Sequence, residues 1–328
     1  MRKKQPDESA GYQELSLQPK FVLSLDGGGS HLLIQLSVLA SLENETGISV
    51  YDLFDMVAGS SSGGMTACLI LGRTTSASEI VQMIQQDKLL ENMMTGHWMN
   101  RLLNRLHMRP KYSGVSKSRV LQRELGYLRL ASLDKQIFVP CFNLDRDQLE
   151  IVTNSCPVNF LLSEIADACT AAPAYFPPVQ MEDGGWRIDG GVGMNNPALG
   201  AYLHALKIWP DHDVKVLSIG SGWRSFAFNG SSARAYGGMQ WSVKGIASVI
   251  LREKMMANAR MTEAMLGRHV LYINDHLKNY GMPDHMDSAN HPEYQHKSLE
   301  IGRLWYERNR DRIKKWLSGQ PEESMNIA

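Results

Sequence analysis

From Phe21 onward the chain alternates between short apolar runs and longer stretches in which leucines recur every three or four positions. Phe21-Val22-Leu23-Ser24-Leu25 has strand length and is stopped by Asp26-Gly27-Gly28-Gly29; Leu32, Leu33, Leu36, Leu39 and Leu42 then follow at helical spacing until Gly47. The unit repeats, with Phe54 to Ala58 reading as a strand, Gly59 to Gly64 as a turn and Met65 to Leu71 as an apolar helix. Two strand, glycine-turn, helix units in succession predict a parallel α/β sheet. Gln136 to Phe142 and Gln148 to Thr153 predict two more strands joined at Asp145-Arg146-Asp147. Phe160 to Thr170 predicts a helix stopped near Pro173, and Val214 to Ile219 a strand closed by Gly220-Ser221-Gly222.

After residue 222 the character changes. Residues 223 to about 240 are rich in Gly, Ser and aromatics, 244–266 form a Met-laden helical pattern, and Leu299, Leu304, Trp305, Ile313, Trp316 and Leu317 mark a basic amphipathic terminal helix. The expected organisation is a polar tail over 1–20, a core over 21–222 and a C-terminal helical region over 223–328 that packs on the core or caps it.

Length and charge narrow the function. The 328 residues suffice for one large α/β domain. Lys and Arg total 34, as do Asp and Glu, so no field of one sign exists to hold a nucleic-acid polymer by counterion release. Four cysteines without a C-x-x-C pair read as reduced thiols of a cytoplasmic protein. The N-terminus lacks the apolar stretch of a signal peptide, and no run approaches the length of a membrane span, so membrane contact is expected to be peripheral.

Candidate chemistry lies at the glycine turns. Gly59-Ser60-Ser61-Ser62-Gly63 matches G-x-S-x-G, and only Ser61 has Gly two positions before and two after it. A sharp strand-to-helix turn exposes one hydroxyl there, at a helix N-terminus that offers backbone N–H groups to developing negative charge. The competing reading is a Ser-rich helix cap. Asp26-Gly27-Gly28-Gly29 also joins a strand to a helix. It fits neither the P-loop nor the dinucleotide pattern, which leaves an oxyanion hole at Gly27, Gly28 and Gly29, or a turn without a ligand. A carboxylate beside two glycines occurs twice, at Asp183-Gly184-Gly185 and Asp189-Gly190-Gly191, and spacing alone does not choose between them.

These motifs, with Ala171-Ala172-Pro173-Ala174-Tyr175-Phe176-Pro177-Pro178 and Asn195-Asn196-Pro197, resemble the patatin-like phospholipases over about residues 21 to 222. The resemblance implies a three-layer α/β/α fold with a mostly parallel central sheet and a Ser/Asp dyad, Ser61 and Asp189. It selects Asp189 because the family's Asp-Gly motif stands just before the Asn-Asn-Pro turn. The implied function is a serine acyl hydrolase that cleaves membrane glycerophospholipid esters through an acyl-enzyme, with no cofactor and no metal, at the membrane surface when active. A soluble carboxylesterase and a catalytically inactive ligand-sensing scaffold are the alternatives. The family usually continues its glycine loop with Arg and Gly where this chain has His31 and Leu32, so the usual brace is missing and His31 is the substitute donor. The pattern around Leu299 to Trp316 is similar to bacterial lipase effectors of anti-phage signalling, which adds a cyclic-nucleotide activator and a homo-oligomer to the expected partners and antiviral defence to the expected role.

His204, His212 and His269 follow Asp189 in the order a conventional triad would need, without a supporting motif. Asp284, His285, Asp287 and His291 read as a solvated loop before they read as a metal site. The 18 methionines read first as core filler, and second as an adaptable surface for acyl chains.

Overall fold

The computed structural model describes residues 18–95, 109–225, 228–243, 245–282 and 291–318. The apolar runs become the strands of one eight-stranded sheet: β1 (Lys20–Leu25), β2 (Met56–Gly59), β3 (Gln136–Asn143), β4 (Gln148–Thr153), β5 (Val179–Gln180), β6 (Trp186–Asp189), β7 (Val214–Ile219) and β8 (Val270–Ile273). Their order is β5-β6-β3-β2-β1-β7-β8, with β4 paired to β3. The β3–β2–β1–β7–β8 block is parallel, whereas β4 and β6 run antiparallel to β3 and β5 antiparallel to β6.

Alternation along the strands divides two cores. Leu23, Val57, Leu217 and Leu271 point to one face, and Val22, Met56, Ala58, Val216 and Val270 to the other. The first face is covered by helices α1 (Leu32–Thr46), α2 (Ser62–Arg73), α3 (Ala77–Gln85), α4 (Gly114–Leu125), α5 (Leu162–Cys169) and, from the far end of the chain, α8 (Pro292–Ser318). The second is covered by α6 (Ala198–Ile208), through Ala198, Ala201 and Ala205, and by the end of α7 (Ile246–Leu266), through Leu266. The result is the expected three-layer α/β/α arrangement.

Sequence and structure differ in detail. Phe54 precedes β2 and is fully buried in the turn that leads into it, so the strand begins two residues later than the apolar run suggests. The region after 222, expected to be helical, also supplies β8, which extends the parallel block beside β7. The terminal helix packs along α1. Ser37 Oγ donates to Leu299 O at 2.6 Å, Arg310 and Lys314 pair with Glu45, and Ile301, Trp305, Tyr306, Ile313 and Trp316 are buried, whereas Leu304 faces outward. Part of the basic face is therefore spent on Glu45, not left to solvent.

Gly302 is the point of closest approach, since a Cβ there would lie 2.4 Å from Ile34 O and 2.4 Å from Ser37 Cβ. Gly302→Ala should lower stability by about 1–3 kcal/mol from overpacking despite the better helix propensity of Ala, read as a lower urea midpoint.

Candidate active site

The parallel strands end on one edge of the sheet, and the glycine turns meet there. β2 stops at Gly59, the chain turns through Ser60 and Ser61, and α2 starts at Ser62. The turn is tight: a Cβ on Gly59 would lie 2.1 Å from Gly63 O, and one on Gly63 would lie 2.4 Å from Leu25 O. Ser61 is held at φ 52° and ψ −124°, a conformation that costs a residue with a side chain free energy and that surrounding structure must impose.

The partner comes from a strand distant in sequence. β3 offers one edge to β4 over its length and the other edge to two strands in turn, with Gln136 to Phe138 pairing with β2 and Cys141 to Asn143 with β6. Because β2 ends early, β6 continues the same edge, and its last residue, Asp189, arrives beside the turn. Ser61 Oγ donates to Asp189 Oδ2 at 2.5 Å, and Asp189 Oδ1 accepts from Gly191 N–H at 2.7 Å. Burial pushes the Asp189 carboxyl up to about 6, against the hydrogen bonds from Ser61 and Gly191 and the Lys117 charge, which favour the carboxylate.

The competing carboxylate is used elsewhere. Asp183 accepts from both terminal nitrogens of Arg187, at 2.7 and 2.6 Å, and that guanidinium also pairs with Glu150. None of the described histidines hydrogen-bonds to Ser61 or Asp189. His212 and His269 lie before β7 and β8, at the opposite end of the parallel strands, where His269 sits 3.1 Å from Asp213, and His204 packs on Phe138. Asp284, His285 and Asp287 lie outside the described residues, as do Met99 and Met108; among the described residues no group of three or more His, Cys, Asp or Glu is arranged to hold a metal ion.

In the first glycine turn the three amides differ. Gly27 N–H donates to Asn195 O at 3.0 Å, Gly28 N–H to Ser62 Oγ at 3.2 Å, and Gly29 N–H has no acceptor among the described residues. Gly29 has φ +56°, which admits glycine readily. Asn195 also donates from Nδ2 to Gly27 O at 3.1 Å, so one residue holds both the N–H and the carbonyl of Gly27. Asp26, just before the turn, is a second buried carboxyl, bonded by Asn196 Nδ2 at 2.7 Å and Tyr272 Oη at 2.9 Å. Burial pushes it up to about 8, against the hydrogen bonds from Tyr272 and Asn196, which favour the carboxylate.

His31 is buried, stacks on Tyr294 of α8 at 6.0 Å between ring centroids, and is held neutral by burial and the Arg224 charge, which lower it to about 4. Ser30 Oγ lies 3.0 Å from Tyr294 Oη. The turn is thus braced by the terminal helix, which no local pattern around Gly27 reveals.

Lys117 also lacked a sequence signal. Its ammonium is fully buried, donating to Asp167 O at 2.7 Å and Thr170 Oγ1 at 3.2 Å, paired with Asp167 Oδ1 at 3.0 Å and set 4.4 Å over the Phe176 ring. These partners flank Ala171, whose carbonyl accepts from Asp189 N–H, so Lys117 holds the segment against which Asp189 is registered.

A family model described as Patatin-like phospholipase matches residues 23–202, more than half of the chain. The chain belongs to the patatin-like phospholipases, a family of lipid acyl hydrolases. It is 29% identical over 290 residues to a patatin-like protein 2 of Oryza sativa subsp. indica, covering 75% of this chain and 72% of the relative. It is 27% identical over 271 residues to a cGAMP-activated phospholipase of Pseudomonas aeruginosa, covering 77% and 78%. A crystal structure of VipD from Legionella pneumophila superposes with a TM-score of 0.45 at 14% identity, covering 92% of this chain and 67% of that one.

Removing the Lys117 charge should destabilise the Asp189 carboxylate. In Lys117→Met the Asp189 carboxyl should titrate above the wild-type value of about 6, followed by carbon NMR of labelled Asp, and Lys117→Arg should move it back toward wild type.

Proposed function

We propose that this patatin-like phospholipase cleaves ester bonds of membrane glycerophospholipids with Ser61 as nucleophile and Asp189 as base. The 2.5 Å hydrogen bond between a strained serine and a buried carboxylate carries the reading. Asp189 Oδ2 takes the proton as Ser61 Oγ bonds to the ester carbonyl carbon, and the carbonyl oxygen becomes the oxyanion. Collapse breaks the ester C–O bond, the proton passes from Asp189 to the departing lipid alkoxide, and the acyl group remains on Ser61. Water then attacks that acyl-enzyme, giving its proton to Asp189, and the fatty acid leaves as Ser61 is reprotonated. A carboxyl near 6 is basic enough to accept a proton and ionised enough at neutral pH to be ready for it.

The Gly29 amide, without an acceptor among the described residues, and the Gly28 amide, held only at 3.2 Å by Ser62, are the donors we assign to the oxyanion; Gly27 acts through Asn195 as the anchor of the turn. A cyclic nucleotide as activator is supported by similarity to the cGAMP-activated phospholipase and would place the enzyme in anti-phage signalling. No helix among the described residues is long and apolar enough to cross a membrane, which fits a peripheral encounter with lipid.

A fluorophosphonate should label wild type and Ser60→Ala stoichiometrically and leave Ser61→Ala and Asp189→Asn unlabelled, while Asp183→Asn retains label. Mass spectrometry of lipids from cells making wild type should show lysophospholipid and free fatty acid that are absent with Ser61→Ala. Label on Ser61→Ala would move the nucleophile elsewhere.

Gly28→Ala places a Cβ 2.2 Å from Ser221 Cβ and Oγ, which forces the turn and its amide to shift. Turnover should fall by about 10² to 10³, the cost of one oxyanion donor, with fold retained by circular dichroism.

A further inference from the structure

α7 carries two apolar faces. Met255, Ala259, Thr262 and Leu266 are buried against the protein. At about 100° per residue, a second stripe runs along the opposite side through Ile250, Leu251, Ala257, Met261, Ala264 and Met265, all exposed. Ile250 is 59% exposed, Leu251 41%, Met261 53% and Met265 69%, so four of the chain's large exposed apolar side chains share one helix. Four large apolar side chains exposed along one row are a concentration that singly scattered surface residues do not make.

The helix is tied to the active site. Lys254 Nζ donates to Val192 O at 3.1 Å, Asn258 Nδ2 to Asn196 O at 3.3 Å, and Asn195 Nδ2 to Met255 Sδ at 3.2 Å. These contacts fall on the loop that leaves Asp189 and anchors Gly27, so whatever covers the stripe lies about one helix diameter from the dyad's supporting loop.

We infer that this stripe of α7 is the surface by which the enzyme docks on a phospholipid bilayer, which rests on the lipid-hydrolase reading above. The covering partner is set by shape and area. Residues 250 to 265 span about 24 Å and the stripe is about 10 Å wide, some 240 Å² in all, well below the roughly 800 Å² per partner that a stable protein interface buries. A convex row of Ile, Leu and Met suits shallow insertion among acyl chains, and Arg260 on its flank, 66% exposed and 3.9 Å from Glu253, suits a phosphate above it.

The test is flotation of purified protein with phosphatidylcholine vesicles and with vesicles containing added phosphatidylglycerol. Wild type should bind, more tightly to the anionic vesicles. The double variant Ile250→Gln, Met261→Gln should bind about tenfold more weakly or worse. Ile48→Gln, an exposed apolar side chain between α1 and β2, should bind as wild type. All should share one melting temperature and one rate on a soluble short-chain ester. Equal vesicle binding by wild type and the double variant, or no binding by wild type to either composition, overturns the docking surface. A double variant that changes only from dimer to monomer by light scattering assigns the stripe to self-association and overturns it as well. Failure of the lipid-hydrolase reading shows separately, as wild-type hydrolysis of the soluble ester with no lysophospholipid or fatty acid released from vesicles that the protein binds.

Discussion

The place where β2 stops decides the rest of the site. A strand has two edges, and β3 gives one of them to β4; the other is shared because β2 leaves the sheet at Gly59 after pairing only as far as Phe138. β6 fills the remaining edge in the antiparallel sense and ends at Asp189, level with the turn that β2 made. One early strand end therefore exposes Ser61 and admits its carboxylate partner. The strain at Ser61 is sustained by backbone approaches too close for any residue but glycine at 59 and 63.

Burial at this edge is used twice with different results. Asp26 and Asp189 are both removed from water, and both carboxyls are pushed upward. Asp26 receives only neutral donors, Tyr272 and Asn196, is pushed further, and forms part of the scaffold under the glycine turn. Asp189 accepts from the Ser61 hydroxyl and the Gly191 amide and also lies in the field of Lys117, and its carboxyl is raised less. Two buried carboxyls thus differ through the groups placed around each.

The C-terminal third belongs to the site as much as the core does. β8 brings Tyr272 to Asp26, α8 brings Tyr294 to Ser30 and His31, and α7 brings Met255 to Asn195. Each contact reaches the glycine turn or the residues that pin it. A shift of α7 or α8 would therefore be felt at the turn.

What the sequence determined by itself is whatever depends on neighbours along the chain. The period of apolar residues placed β1, β4, β7 and α1 almost to the residue, because strand and helix register follow from side-chain alternation over a few positions. The Gly-x-Ser-x-Gly spacing identified Ser61, because a strand-to-helix turn of that tightness is a local requirement. Asp189 was named only with the help of a family resemblance, since spacing left Asp183 open; the structure separates them by giving Asp183 to Arg187, a pairing across a hairpin. Lys117, Tyr294 and the strand β8 carried no local signal, and Asn195 stood out only within the Asn-Asn-Pro motif, without its role as the anchor of Gly27. Their roles arise from contacts between segments some fifty to more than two hundred and fifty residues apart, where burial, charge and packing are properties of the assembled fold.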